Sequence, residues 1–243
     1  MQYMGSKNRI AKHILPIMLA ERKPDQWWVE PFVGGANMID KVTGKRIGAD
    51  SNEFLIKALR LIRDEPTAIP DLITEEDYQK AKDEMVLDGL TGFIGFSMSF
   101  GAKWFGGYAR TVSGTKGCIE NMKTRTRRSK QNAINQSKNL KGVRFIHSDY
   151  RILDLPPNSL IYCDPPYEGT TKYKDGFGHT EFWQWCRDKT KEGHVVFISE
   201  YTAPEDFECV WQKEIVNLLN NKDTGRKKAV EKLFRYKGGD GSN

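Results

Sequence analysis

The tetrapeptide Asp164-Pro165-Pro166-Tyr167 carries the strongest chemical signal in the chain. It follows the apolar run Leu160-Ile161-Tyr162-Cys163, which reads as a buried strand, and open α/β sheets bind ligands just beyond the carboxyl ends of their strands. An aromatic amine is a weak nucleophile because its lone pair is delocalised into the ring. The Asp164 carboxylate and the Pro165 carbonyl can accept its two N–H bonds, which favours a pyramidal nitrogen with its lone pair turned to an electrophile. Proline locks φ and so fixes that carbonyl. Tyr167 offers a flat face to a base drawn out of a duplex, a contact worth roughly 1–3 kcal/mol. An ordinary Pro-Pro turn after a strand would use the same residues.

Several elements must position this segment. Trp27 to Glu30 reads as a strand, Pro31 to Ile39 as a turn running into a helix, and Arg46 to Asp50 as a second strand ending in an acid. Gly34 and Gly35 let backbone approach a ligand closely, or simply make a strand-to-helix turn. Asp50 can accept two ribose hydroxyls or cap the next helix. Helical spacing runs from Gly5 to Ala20, with Ser6 as cap and Pro16 as a candidate kink, and again after Asn52 through Leu55, Ile56, Leu59 and Ile62. Val143 to Ile146, Leu160 to Cys163 and Val195 to Ile198 are short apolar strands. Phe182, Trp183, Trp185 and Cys186 fit a helix packed on the sheet better than a base-stacking platform. Val210 to Val216 and Val230 to Arg235 predict a closing antiparallel pair around the polar loop 220–225.

These motifs, in this order, resemble the DNA adenine methylase (Dam) family of amino-methyltransferases. Asp164-Pro165-Pro166-Tyr167 is similar to that family's segment after its fourth strand. Tyr3-Met4-Gly5-Ser6-Lys7-Asn8 resembles its N-terminal aromatic-Ala-Gly-Gly-Lys segment, with Met4 and Ser6 departing from it, and Glu30-Pro31-Phe32-Val33-Gly34-Gly35 resembles its cofactor loop. The resemblance implies S-adenosylmethionine as cofactor, held by Tyr3, Lys7, Glu30, Phe32, Gly34, Asp50, Asp149, Tyr150 and Asp164. Asp50 would be its ribose-binding acid and Asp149-Tyr150 the pair beside its adenine. Lys7 is also placed to pair with a carboxylate of the site.

The 243 residues carry 38 Lys and Arg against 32 Asp and Glu, a net +6, which favours polyanionic partners. Composition changes over 65–140. Aromatics and glycines from Phe93 to Arg110 precede a cationic stretch, and Lys103, Arg110, Arg125, Arg127 and Arg128 are the candidate contacts to double-stranded DNA. A charged helix face over an aromatic core is the duller reading. Arg226-Lys227-Lys228 is a second cationic stretch, equally at home in a solvated loop. Four cysteines without a C-x-x-C pair argue against a disulfide framework or thiolate zinc site, and four scattered histidines lend no support to a metal or covalent mechanism. No signal peptide or membrane span is evident, so a cytoplasmic protein is expected.

The expected fold is α/β, a seven-stranded, mostly parallel Rossmann-like methyltransferase sheet. Residues 1–64 and 141–237 would form the catalytic domain, 65–140 an inserted DNA-recognition subdomain, and 238–243 a disordered tail. The expected reaction is methylation of the adenine amino group by base flipping. The family's cytosine-specific branch more often has Ser where this chain has Asp164. Cytosine, RNA or protein amide methylation, and a catalytically silent DNA-binding regulator, are the rivals. Whether a cognate restriction endonuclease accompanies the chain is left open.

Overall fold

The structure, a computed structural model, describes residues 1–110, 119–167, 177–216 and 228–238. The polar loop 220–225, Arg226, Lys227, Cys118 and residues 239–243 of the tail lie outside them. Seven strands form one sheet: β1 (Trp28–Glu30), β2 (Arg46–Asp50), β3 (Val143–His147), β4 (Leu160–Cys163), β5 (Val195–Glu200), β6 (Phe207–Val216) and β7 (Lys228–Tyr236). The spatial order is β3-β2-β1-β4-β5-β7-β6. Only β7 is antiparallel, lying between β5 and β6. Strand order reverses between β1 and β4, which pair directly, and their following loops diverge to leave a crevice at their carboxyl ends.

Alternation along the strands divides the core. Trp28, Leu160, Tyr162 and Phe197 face α1 (Ala11–Ala20) and α2 (Glu53–Asp64); Val29, Ile161, Cys163, Val196 and Ile198 face the other way, onto Phe182, Trp183, Trp185 and Cys186. Helices on both faces explain why β1 and β4 are buried throughout.

Two expectations near the amino terminus change. Gly5 adopts a left-handed φ of +80°, so no helix starts there; a 3₁₀ turn at Lys7–Arg9 follows Ser6, and α1 begins at Ala11 with Pro16 inside it. The turn after β1 does not run into an α-helix. Gly34 and Ala36 have φ of +48° and +57°, which an α-helix cannot include, and only a 3₁₀ turn forms at Ile39–Lys41.

Between α2 and β3 lie α3 (Glu75–Glu84), α4 (Gly89–Ser97) and α5 (Ile119–Leu140). Thr74 and Asp77 cap α3 reciprocally. Ile69, Ile73, Tyr78, Phe93, Phe96 and Phe105 belong to the same buried cluster as α1, α2 and one sheet face, so this segment shares its core with the sheet. Gly92 is where α4 meets α2 most closely: a Cβ there would stand 2.1 Å from the Phe54 carbonyl oxygen.

Candidate active site

Asp164 emerges from the end of β4 into the crevice and meets a side chain from the 3₁₀ turn at Lys7–Arg9. The Lys7 ammonium lies 3.2 Å from Asp164 Oδ1 and 3.6 Å from Glu231 Oε2, and 4.3 Å from the centre of the Tyr167 ring. Lys7 is 8% exposed and Asp164 23%, so the pair is held at the rim of the core with the carboxylate partly open. The Tyr167 hydroxyl donates to Glu231 Oε2 at 2.9 Å, and its ring packs at right angles to Tyr201. Below them the Tyr162 hydroxyl pairs with Ser199 Oγ at 2.8 Å. Burial pushes the Asp164 carboxyl up to about 6; Lys7 opposes this and Glu231 adds to it. Lys7 stays protonated because its two carboxylates outweigh its burial. Pro165 is buried and Pro166 partly so.

The expected cofactor residues gather around the ends of β1, β2 and β3. Gly34 N–H donates to Asp50 Oδ2 at 3.3 Å and Asn52 N–H to Oδ1 at 3.0 Å. Asn52 rather than Asp50 caps α2, its Oδ1 accepting from Leu55 N–H at 3.1 Å. Burial pushes Asp50 up to about 6. A partly exposed carboxylate whose bonds come from backbone N–H groups keeps acceptor capacity, and it fits a ribose diol. Phe32 packs on Tyr150 with ring centres 5.2 Å apart, and Phe177 and Phe182 close an aromatic nest around them. Asp149 is engaged by Arg151 through the backbone N–H and the guanidinium. Glu30 turns inward: it is 2% exposed, accepts from the Trp28 indole at 2.8 Å, and is pushed well above the usual carboxylate range by burial. Close approach at the glycines is claimed by the chain itself. A Cβ on Gly34 would lie 3.0 Å from the Tyr3 ring, and one on Gly35 would lie 2.7 Å from Tyr3 Cβ.

The chain matches the family model for D12 class N6 adenine-specific DNA methyltransferases over residues 3–86 and 108–201. The chain belongs to that family. S-adenosylmethionine is the cofactor of the D12 family, and Tyr3, Lys7, Asp50, Asp149, Tyr150 and the 164–167 segment all lie within the match. Glu231 and residues 87–107 lie outside it. No curated protein gives a significant match. Among solved structures, tRNA (m1A58) methyltransferase TrmI from Aquifex aeolicus is 10% identical with a TM-score of 0.42, over 97% of this chain and 70% of that one. TrmN from Thermus thermophilus is 11% identical with a TM-score of 0.36, over 94% of this chain and 48% of that one. SMU.472, a putative methyltransferase complexed with SAH, is 12% identical with a TM-score of 0.36, over 97% and 53%. The chain thus spans about half the length of two of these proteins.

The cationic residues outside the crevice divide into two kinds. Lys103, Arg127 and Arg128 are exposed, and Arg110 pairs with Glu75. Arg125 is turned inward, donating to the Ser97 carbonyl at 3.2 Å with its Nε buried. Phe100, 70% exposed, stands three residues from Lys103 on a loop pinned by the Ser99–Tyr108 bridge and by Tyr78, whose hydroxyl meets Ser99 Oγ and accepts from Gly107 N–H. A groove of about 600 Å³ lined by Arg22, Trp27, Thr43 and Lys45 lies at the amino ends of β1 and β2, the end of the sheet away from Asp164 and Asp50. Parallel sheets of this kind act at their carboxyl ends, so it is not the reaction site. Among the described residues no group of three or more His, Cys, Asp or Glu could hold a metal, and no helix is long and apolar enough to cross a membrane.

Glu231 is the site residue that motif reading missed. It sits on β7 two residues from the fully buried Leu233, so strand alternation puts an acid on the buried face, and that was the available signal.

Proposed function

We propose that the chain methylates the N6 amino group of adenine in double-stranded DNA, acting on a base flipped out of the helix. The observation that carries this is the Asp164 carboxylate: partly open, at the point where strand order reverses, and beside the Tyr167 ring. A base inside a duplex cannot present its amino group to such a crevice, so it must leave the stack. Bound S-adenosylmethionine supplies an electrophilic methyl group on a sulfonium centre. Asp50 would hold its ribose, Phe32 and Tyr150 would pack on its adenine, and Tyr3 would brace the glycine turn from above. Asp164 accepts a hydrogen bond from the target amine, and that bond strengthens as positive charge develops on nitrogen. With a pKa near 6 the same carboxylate can take the surplus proton and release it to water at neutral pH. Lys103, Arg110, Arg127 and Arg128 are the candidate phosphate contacts, and Phe100 an exposed aromatic beside them.

The test is transfer of a labelled methyl group to DNA from a host without adenine methylation, with nucleoside analysis of the product. N6-methyladenine is expected. N4-methylcytosine, or label entering only RNA or protein, would replace the substrate assigned here; DNA binding without any transfer would leave a regulator.

A further inference from the structure

Lys7 occupies two places that the target base needs. Its ammonium holds Asp164 Oδ1 at 3.2 Å, and it covers the Tyr167 ring at 4.3 Å from the ring centre. A carboxylate already bound to an ammonium is a poorer acceptor for an incoming amine. Lys7 cannot simply retreat into water, because it is 8% exposed and also donates to the Gly5 carbonyl at 3.3 Å. Leaving it without a counter-charge in that place would be costly. Among the described residues its second carboxylate partner is Glu231, 3.6 Å away and 14% exposed. The Tyr167 hydroxyl donates to the same oxygen, so Glu231 fixes the ring as well as facing the ammonium.

The geometry points to Glu231 as a positioning residue: it is a second seat for the Lys7 ammonium, which takes up the charge when a base enters and so releases Asp164 and the Tyr167 face to the substrate. The inference rests on the methyl-transfer reading above. A small displacement of Nζ from one carboxylate to the other exchanges partners without exposing a bare charge. Because Glu231 falls outside the residues matched to the D12 family, the seat is read from this chain's own β7. Asp164 is faced by Lys7 from the amino-terminal turn, Tyr162 from β4, Tyr167 from its own loop, Tyr201 after β5, Glu231 from β7 and Glu30 from β1. Of these, Lys7 and the Tyr167 hydroxyl favour the ionised form and Glu231 disfavours it.

Glu231→Gln keeps an acceptor for the Tyr167 hydroxyl and removes the charge. Lys7 is then left to Asp164 alone. The single-turnover rate on unmethylated DNA should fall roughly tenfold, as for removal of one charge-assisted hydrogen bond, with KM for DNA and cofactor nearly unchanged. The midpoint of the acid limb should move to lower pH, because Asp164 loses a negative neighbour and keeps its ammonium. In the cofactor-free protein, carboxyl ¹³C NMR, with the Asp164 signal assigned by Asp164→Asn, should show the same downward move. Tyr167→Phe, which removes the hydroxyl's bonds to Glu231 and to Asp164, should move that midpoint up, the opposite direction. An unmoved or raised midpoint in Glu231→Gln, an unchanged rate, or a Tyr167→Phe variant that reproduces the whole defect would overturn the proposal. Should Glu231→Gln fail to fold, Glu231→Asp replaces it: the shorter acid should lower the rate while holding the midpoint near that of wild type, and a full wild-type rate would refute the seat. Absence of transfer by the wild type would sink the methyl-transfer reading instead, and the NMR titration would still decide how the charge is shared.

Discussion

Asp50→Asn offers a clean measurement on the cofactor side, because the substitution keeps size and one acceptor oxygen while removing the charge. In the structure both carboxylate oxygens of Asp50 receive backbone N–H bonds, from Gly34 and Asn52, and each oxygen keeps a further lone pair for a ligand hydroxyl. Hydrogen bonds to a charged group contribute roughly 1.5–3 kcal/mol, so removal of one to a ribose hydroxyl should weaken S-adenosylmethionine binding by roughly 10–150-fold. The wild type should also be pH-sensitive. With its pKa at about 6, Asp50 is mostly ionised at pH 7 and mostly protonated at pH 5, which corresponds to a loss of roughly tenfold in affinity, about 1.4 kcal/mol. The stability of the free protein should trend the other way. The folded pKa lies above the unfolded value, so the folded state binds more protons between roughly pH 4 and 6, and stability falls as pH rises through that window. Isothermal calorimetry from pH 5 to 7 with chelator present, without DNA, reads the affinity; thermal melting reads the stability. A Kd for Asp50→Asn within twofold of wild type at pH 7, or a wild-type affinity flat from pH 5 to 7, would refute the ribose assignment.

Asp164→Ala should lower single-turnover methyl transfer at saturating cofactor by ~10²–10³, by analogy with removal of one oriented transition-state partner; near-normal transfer there would reduce Asp164 to a cofactor ligand. Replacing Arg127 and Arg128 by Ala should reduce the slope of log affinity for DNA against log salt by about 1 for each phosphate that is no longer neutralised, and an unchanged slope would make them ordinary surface charge. Arg125→Ala should instead lower the melting temperature, by about 1 kcal/mol of stability for its bond to the Ser97 carbonyl, and leave the salt slope alone. Gly92→Ala should destabilise by about 1–3 kcal/mol or more, since its Cβ would stand 2.1 Å from the Phe54 carbonyl oxygen and α4 would have to move off α2; an unchanged melting curve would mean that the two helices are not so closely packed.

Strands β2 and β4 coincide with the runs read from sequence because both are buried on two faces, and an acid at the end of β2 or directly after β4 marks the boundary. The 164–167 segment is readable because its residue types are few and rigid. Sequence alone places Lys7 near a carboxylate but does not say which, since a residue on the first turn and one on β7 meet only through sheet order. Arg125 and Arg127 look alike in sequence. Helix phase separates them, turning one onto Ser97 and the other to solvent. The missing helix after β1 follows from left-handed backbone at Ala36, a position that nothing about alanine marks in advance.

The placement of β7 also orders events during synthesis. Because β7 wedges between β5 and β6, the ribosome must deliver residue 231 before the sheet can close and before Lys7, made well ahead of it, meets its second carboxylate. Until then β5 presents an unpaired edge, and the proposed site has only one of the two acids that flank Lys7. Contacts so distant in sequence form slowly, so this sheet is expected to assemble the Lys7, Asp164 and Glu231 cluster in one of the last steps of folding. A nascent or truncated chain lacking β7 would carry all the residues matched to its family and still lack Glu231.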